Sequence, residues 1–335
     1  MPRTGKHPLK VTGMKDDFEH APITIATIVH IPVLADYWAD SLAVLRLFFS
    51  SLFENTQRPF DLMVFDNNSC REVQDYLLAL RAEGLIQYLI LSEHNLRKLG
   101  ALNFLLCSAP GEFIAFADSD VYFLPGWLEK SLEVLDTFPE AAKVTALPVV
   151  GGDTTKISAA AYAKAQADPK IKIETGLIVD DLFLQAHLLS LGQSEQHYHR
   201  RMRNRKDTLL IRDGVEALLS TADFQFIIRS EAIEMVLPLK IESDDEYYDP
   251  IYSPLLERRL DEAGLWQLST PDYLVHHMGN SVPDLITELP WIHWNNDHIS
   301  NTIIPKASKK KAISNPMLRR LIHKIHSLSY KLLYD

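Results

Sequence analysis

Two carboxylates close an apolar run. Phe113-Ile-Ala-Phe-Ala117 delivers Asp118 and, after Ser119, Asp120, before Pro125-Gly126 turns the chain toward a helix. Unpartnered acids are costly to take out of water, so a pair at the end of a buried strand calls for a cation. A hard divalent ion that also holds phosphates matches their oxygen ligands. Capping of the next helix, or a position facing water at a sheet edge, fits the same spacing.

The elements that must position this pair alternate along the chain. Strands are expected at Ile23 to Val29, Phe60 to Phe65, Ile86 to Leu91, Phe113 to Ala117 and Lys143 to Val149. Helices are expected at Tyr37 to Glu54, Arg71 to Glu83, Lys98 to Ser108 and Trp127 to Phe138. Strands separated by helices of that length form a doubly wound, mostly parallel sheet flanked by helices. Its ligand crevice lies beyond the carboxyl ends of the strands, where Asp66 and Asp118 both fall. Residues 153–221 change character, from an Ala-rich stretch to a Leu-rich helical pattern and the basic run His197 to Lys206, and read as a helical insertion, either a flap over the crevice or a plain subdomain. Beyond it, Phe224 to Arg229 reads as a strand and Glu231 to Val236 as a helix. Next come the acidic loop Glu242 to Asp249, a helix from Ser253 ending at Gly264, and a strand from Tyr273 to His276.

Composition bounds the rest. The chain has 335 residues, 47% hydrophobic and 23% charged, enough to bury a full core. Met1 to Ala21 is polar, and no apolar run reaches the ~20 residues a bilayer span needs, so a cytoplasmic protein is expected. Cys70 and Cys107 are too few for a disulfide framework. The net charge of −10 argues against nucleic acid as a partner. The expected organisation is a polar extension over residues 1–20, a main domain over 21–290 and a basic tail over 291–335. In residues 313–335 a stripe of Leu and Ile opposes Arg319, Arg320, Lys324 and Lys331. That is the pattern of a C-terminal amphipathic helix, either docked on the protein or in peripheral contact with a membrane.

Several fragments together resemble the family 2 glycosyltransferases of the GT-A fold. They are Ile23-Thr-Ile-Ala-Thr-Ile-Val29, Val64-Phe-Asp-Asn-Asn-Ser69, Asn95 through Gly100 to Asn103, Gly111 to Asp120, Pro125-Gly-Trp-Leu128 and His276-His-Met-Gly-Asn-Ser281. The resemblance spans roughly residues 23–150 and 222–281, with the insertion and tail outside it. It implies an inverting transfer of a sugar from a nucleotide-diphosphate sugar, a UDP-sugar foremost, to a glycan or lipid-linked acceptor. It also implies Mn²⁺ or Mg²⁺ as cofactor, held by Asp120 and by His276 with His277 next in line, while Asp118 reaches the ribose or sugar. Asp66 would accept from the base or ribose, or simply close an Asx turn. His30 and Ile31 would wall the base. Asn95, Arg97 and Lys98 lie between strand and helix, where a cation would meet the diphosphate; for Arg97 and Lys98 the alternative is exposed charge on the surface.

The sequence departs from the family at the general base. Counting back from Arg259 and Gly264, the family's acidic pair falls on Tyr252 and Ser253. Asp249 is the nearest upstream carboxylate and is the expected base, with Asp245 and Glu246 behind it; a solvated acidic loop is the alternative. A nucleotide-sugar-binding scaffold without turnover therefore stays open. A haloacid-dehalogenase-like phosphatase would use Asp118 as nucleophile but carries that motif on its first strand. A nucleotidyltransferase calls for a Gly-rich start that Ile23 to Tyr37 lacks.

Overall fold

The computed structural model describes residues 20–57, 59–149, 155–192, 195–203, 205–240 and 255–291. The acidic loop with Asp245, Glu246 and Asp249, and the C-terminal helix expected at 313–335, lie outside these described residues.

Alternation builds the sheet. In strand β1 (Ile23–Val29), Ile25 and Val29 point to one face while Ala26 points to the other. In β2 (Asp61–Asn67), Leu62 and Val64 oppose Met63 and Phe65, and in β4 (Phe113–Asp118) Ala115 opposes Ile114 and Phe116. A strand buried on both faces must be covered by helices on both, which is the reason for its near-continuous apolar sequence. Helices α1 (Ser41–Asn55), α2 (Arg71–Ala82) and, further along, α4 (Trp127–Thr137) supply Phe48, Leu77 and Trp127 to the first face. Helix α3 (Arg97–Ser108) supplies Leu102 and Leu105 to the second.

Strand β3 (Tyr88–Ser92) pairs in parallel with β2, β2 with β1, and β1 with β4. Next in space comes β10 (Gln225–Arg229), antiparallel to both β4 and β6 (Ala141–Thr145), and then β11 (Trp266–Ser269), parallel to β6. The segment read as a helical insertion does carry helices, α5 (Thr155–Ala167), α6 (Asp181–Ser190) and α7 (Glu195–Met202). It also carries strands, β7 (Lys172–Gly176), β8 (Asp207–Arg212) and β9 (Val215–Leu218), which extend the sheet antiparallel to the order β3-β2-β1-β4-β10-β6-β11-β9-β8-β7. Between β8 and β9, Asp213 (φ 52°) and Gly214 (φ 84°) form the two-residue hairpin turn that needs left-handed backbone at both positions.

The second face is completed by α8 (Ser230–Val236) and α9 (Leu255–Glu262). Helix α9 stops where Gly264 takes φ 72°; the Leu265 amide reaches back to the Leu260 carbonyl at 3.0 Å, satisfying a carbonyl the helix would otherwise leave open. The first expected helix is shorter than its apolar pattern: a 3₁₀ turn at Asp36–Trp38 precedes α1, with the Trp38 amide on the Ala35 carbonyl at 2.9 Å. A separate ribbon, β5 (Val121–Phe123) against β12 (Val275–His277), stands at the carboxyl end of β4, and the short helix α10 (Leu285–Glu288) follows it.

Candidate active site

Asp118 ends β4 and Asp120 follows after one residue, so the ribbon β5–β12 begins at the crevice. Its register sets His277 opposite Val121 and His276 opposite Tyr122. Neighbours on a strand face opposite ways, and the two histidines divide accordingly. His277 Nε2 lies 3.3 Å from Asp120 Oδ2, and the Met278 amide donates to the Asp120 carbonyl at 2.7 Å. His276 is buried on the other side with both ring nitrogens engaged, Nδ1 with the Tyr273 hydroxyl at 2.9 Å and Nε2 with Glu288 at 3.1 Å. Of the two expected ligands, His277 is therefore the ring that faces Asp120, while both nitrogens of His276 are engaged by Tyr273 and Glu288.

Lys98, in the first turn of α3, reaches across to Asp118 Oδ2 at 2.8 Å and to Asp223 Oδ2 at 3.7 Å. Asp223 precedes β10, which runs antiparallel to β4, so its amino end meets the carboxyl end of β4; the Asp118 amide donates to the Phe224 carbonyl at 2.8 Å. Roughly a quarter to a third of each of these three side chains stays open to solvent (Lys98 33%, Asp118 28%, Asp223 25%), so they line a cleft. Burial pushes the Asp118 carboxyl up, Lys98 pulls it back, and Asp120 and Asp223 push it up again, leaving it at about 6. For Lys98 burial acts downward, but Asp118 and Asp223 outweigh it and hold the ammonium above its ordinary value. His277 is lowered by burial and raised more by Asp120 and Asp118, ending above the usual imidazole value.

The balance of charge is negative. Unit charges about 4 Å apart at an effective dielectric of about 20 interact by about 4 kcal/mol, so one ammonium offsets one of the three carboxylates and leaves two facing each other. Asp118, Asp120 and Asp223 face Lys98 and the titratable ring of His277. The Asp120 Oδ1 atom is buried with no hydrogen-bond partner. That orphaned oxygen beside an imidazole nitrogen fits a divalent ion, with its other positions left for phosphate oxygens or water. Among the described residues no group of three or more His, Cys, Asp or Glu is placed to hold a metal ion by itself; an ion shared with a diphosphate needs fewer protein ligands.

The rest of the rim is a polar network. His30 Nδ1 meets the Asn67 carbonyl at 2.8 Å and its Nε2 meets the Asn95 amide at 3.3 Å. Asn67 in turn bonds Asn95 at 3.0 Å and the Leu96 amide at 2.7 Å. The ends of β1 and β2 and the start of α3 are thereby tied together, with Trp38 edge-on to His30 at 5.8 Å. Asp66 and Ile31 are brought to this rim but sit behind it, at 0% and 3% exposure. The Asp66 carboxylate accepts from the Ser69 amide at 3.2 Å and from Gln74 at 3.0 Å while Asn68 takes φ 68°, so Asp66 closes this turn. Asn103, deeper along α3, exchanges two hydrogen bonds with the Leu239 backbone, each 2.8 Å, which ties the chain just after α8 to the helix that carries Lys98.

A family model for glycosyl transferase family 2 matches residues 31–224, more than half of the chain. The chain belongs to glycosyl transferase family 2. The match runs through the segment expected to lie outside it and stops at Phe224, short of the fragment at 276–281. The sheet flanked by helices, with its acids at the carboxyl edge, is the GT-A architecture that the resemblance implied. No curated protein matches the chain.

Solved structures similar to it include GalNAc-T7 with UDP, GalNAc and Mn²⁺ (13% identity, TM-score 0.44, 78% of this chain and 44% of that one). TarS 1-349 of S. aureus is similar at 14% identity and TM-score 0.42, over 76% of this chain and 59% of that one. The mannosyltransferase PcManGT from Pyrobaculum calidifontis, in complex with GDP-Man and Mn²⁺, is similar at 17% identity and TM-score 0.31, over 38% and 35%. The chain thus spans between about a third and three fifths of their lengths. Among the described residues no helix is long and apolar enough to cross a membrane.

Proposed function

We propose that this family 2 member is an inverting glycosyltransferase that moves a sugar from a nucleotide-diphosphate sugar, a UDP-sugar foremost, to a hydroxyl of a glycan or lipid-linked acceptor. The observation that carries the reading is the unbalanced acidic cleft: Asp118, Asp120 and Asp223 against Lys98, with an orphaned oxygen on Asp120. Asp120 and His277 would hold the divalent ion, and the imidazole suits Mn²⁺ better than Mg²⁺. When bound, that ion supplies charge stabilisation for the departing nucleoside diphosphate.

The chain's own residues do the rest. His30 and Asn95 present polar edges to a nucleoside, with Asp66 and Ile31 supporting the turn behind them. Lys98 is clamped between two acids, so it orients Asp118 and Asp223 toward the sugar hydroxyls instead of extending to the diphosphate. Asp249, flanked by Asp245 and Glu246 in the acidic loop, takes the proton of the acceptor hydroxyl; attack from the face opposite the leaving group inverts the anomeric carbon.

A thermal-shift panel of UDP, GDP, dTDP and their sugars, with Mn²⁺ and with chelator, tests this. A ligand at 100 times its Kd adds about 2.7 kcal/mol to the native state, and the stabilising nucleotide should do so only with the metal. Equal shifts in chelator would overturn the metal-dependent site. The absence of acids at Tyr252 and Ser253 supports one competing reading, nucleotide-sugar binding without turnover. In that case Asp249→Asn changes nothing measurable, whereas a transferase loses turnover far more than donor affinity.

A further inference from the structure

Helix α6 has two faces with different company. Its inner face puts Leu184 and Leu188 into a small core with Val179, Tyr198, Leu209 and Leu218. From the same side His187 stacks on Phe224 at 5.3 Å, and Phe224 meets His277 edge-on at 5.6 Å. A Cβ built on Gly279 would stand 3.6 Å from the Ser190 carbonyl. The helix is therefore one wall of the cleft.

Its outer face is open and carries two large apolar side chains. Leu182 and Leu189, seven residues apart and so on one stripe with the exposed Gln185 between them, are 43% and 58% exposed; Leu177 and Ile178, just ahead of the helix, are 76% and 37% exposed. Leaving this many large apolar side chains in water within one short stretch marks a contact surface.

The neighbouring helix supplies the complement. From Gln196 to Lys206 there is no acid, and Arg200, Arg203 and Lys206 are exposed in a chain whose net charge is −10. Tyr198 of α7 shares the inner core of α6, so the outer faces of both helices turn away from the sheet together. The acids of α6 are spent locally: Asp180 accepts from the Leu182 amide at 2.8 Å, and Asp181 pairs with Arg205 at 2.5 Å. Leucines rimmed by arginines suit the boundary of an anionic bilayer, where the apolar groups enter the headgroup region and the guanidinium groups meet lipid phosphates.

We infer that the outer face of α6 and α7 rests on an anionic lipid surface, so that the helix walling the acidic cleft is also the one touching the bilayer. This deepens the proposed transferase reading by placing its acceptor side at a membrane, through an element separate from the basic tail.

The test is co-sedimentation of the full chain with phosphatidylcholine vesicles and with vesicles also containing phosphatidylglycerol. Its arms are the wild type, Leu182→Ser/Leu189→Ser, Arg200→Glu/Arg203→Glu, and a deletion of residues 313–335. The wild type should bind the anionic vesicles and not the neutral ones. Each double variant should weaken binding by roughly tenfold or more, the arginine variant through the loss of about 1 kcal/mol per basic residue near the surface, with its ligand-free thermal midpoint unchanged as the check on folding. Absence of vesicle binding overturns the inference. So does binding that survives both double variants and disappears only with the tail, or a wild-type dimer that the leucine variant converts to monomer in sedimentation velocity. Vesicle binding and donor binding are read separately, so either proposal can fail without the other.

Discussion

Two lysines on the same sheet meet carboxylates in opposite ways. Lys143, in β6, is fully enclosed, pairs with Glu257 of α9 and lies 4.6 Å from the centre of the Phe226 ring. One cation meets one anion in a dry place, and the Gln267 amide ties the Glu257 carbonyl at 2.8 Å. Lys98, at the carboxyl edge of β4, meets Asp118 and Asp223 with Asp120 close by, and solvent still reaches all of them. A balanced, sealed pair has nothing left to bind and serves to hold α9 on the sheet. An open cluster with more acid than base keeps a demand for positive charge, and it is this surplus that distinguishes a site from a structural ion pair.

The sharpest way to break that contrast is at the sealed pair. Lys143→Met should cost about 3–5 kcal/mol by leaving Glu257 buried and unpaired, while Lys143→Met with Glu257→Leu should recover most of it; urea midpoints read both. At the open cluster Asp120→Ala should leave the urea midpoint within ~0.5 kcal/mol of wild type yet lower metal-dependent donor binding by roughly 100-fold or more, measured by titration calorimetry.

The histidine pair sharpens the contrast on a smaller scale. His277→Ala should weaken Mn²⁺ binding by roughly tenfold or more with little change in stability. His276→Ala should leave Mn²⁺ binding in place and lose about 1–3 kcal/mol of stability through the unpaired Tyr273 and Glu288.

The smallest effect is a pH dependence. Asp118 titrates near 6 in the fold against 3.8 as its ordinary value, so the folded state binds this proton more tightly than the unfolded one. Its contribution penalises the fold above about pH 6 and fades as pH falls toward about 4. In the absence of metal, stability should therefore be less acid-sensitive than in Asp118→Asn, as read from urea denaturation between about pH 4 and pH 7.

Much of the frame was legible because it obeys simple periods. Strands β1 and β4 follow from buried apolar runs, and α2 and α4 from apolar spacing ahead of turn residues. The antiparallel strands of the insertion were not, because Ala159 to Ala165 and Leu182 to Leu191 have helical spacing and β7 is an exposed edge strand without an apolar alternation. Asp213-Gly214 between two apolar stretches was the available hairpin signal.

In the site, Asp118 and Asp120 were legible as a pair. Asp223 was missed because the rule applied looks for acids at the carboxyl ends of parallel strands, whereas an antiparallel strand brings its amino end to that rim. The assignment between His276 and His277 depended on which side of β12 each faces, and a frame shift of one residue reverses that.

The surplus of acid at the end of β4 is proposed to take a dication together with a diphosphate. Titration of free Mn²⁺, followed by its electron paramagnetic resonance signal, with and without UDP, measures this directly. Uptake of one Mn²⁺ per chain should require UDP, be lost in Asp120→Ala and be kept in His276→Ala. Uptake that ignores UDP, or survives Asp120→Ala, would rule the proposal out.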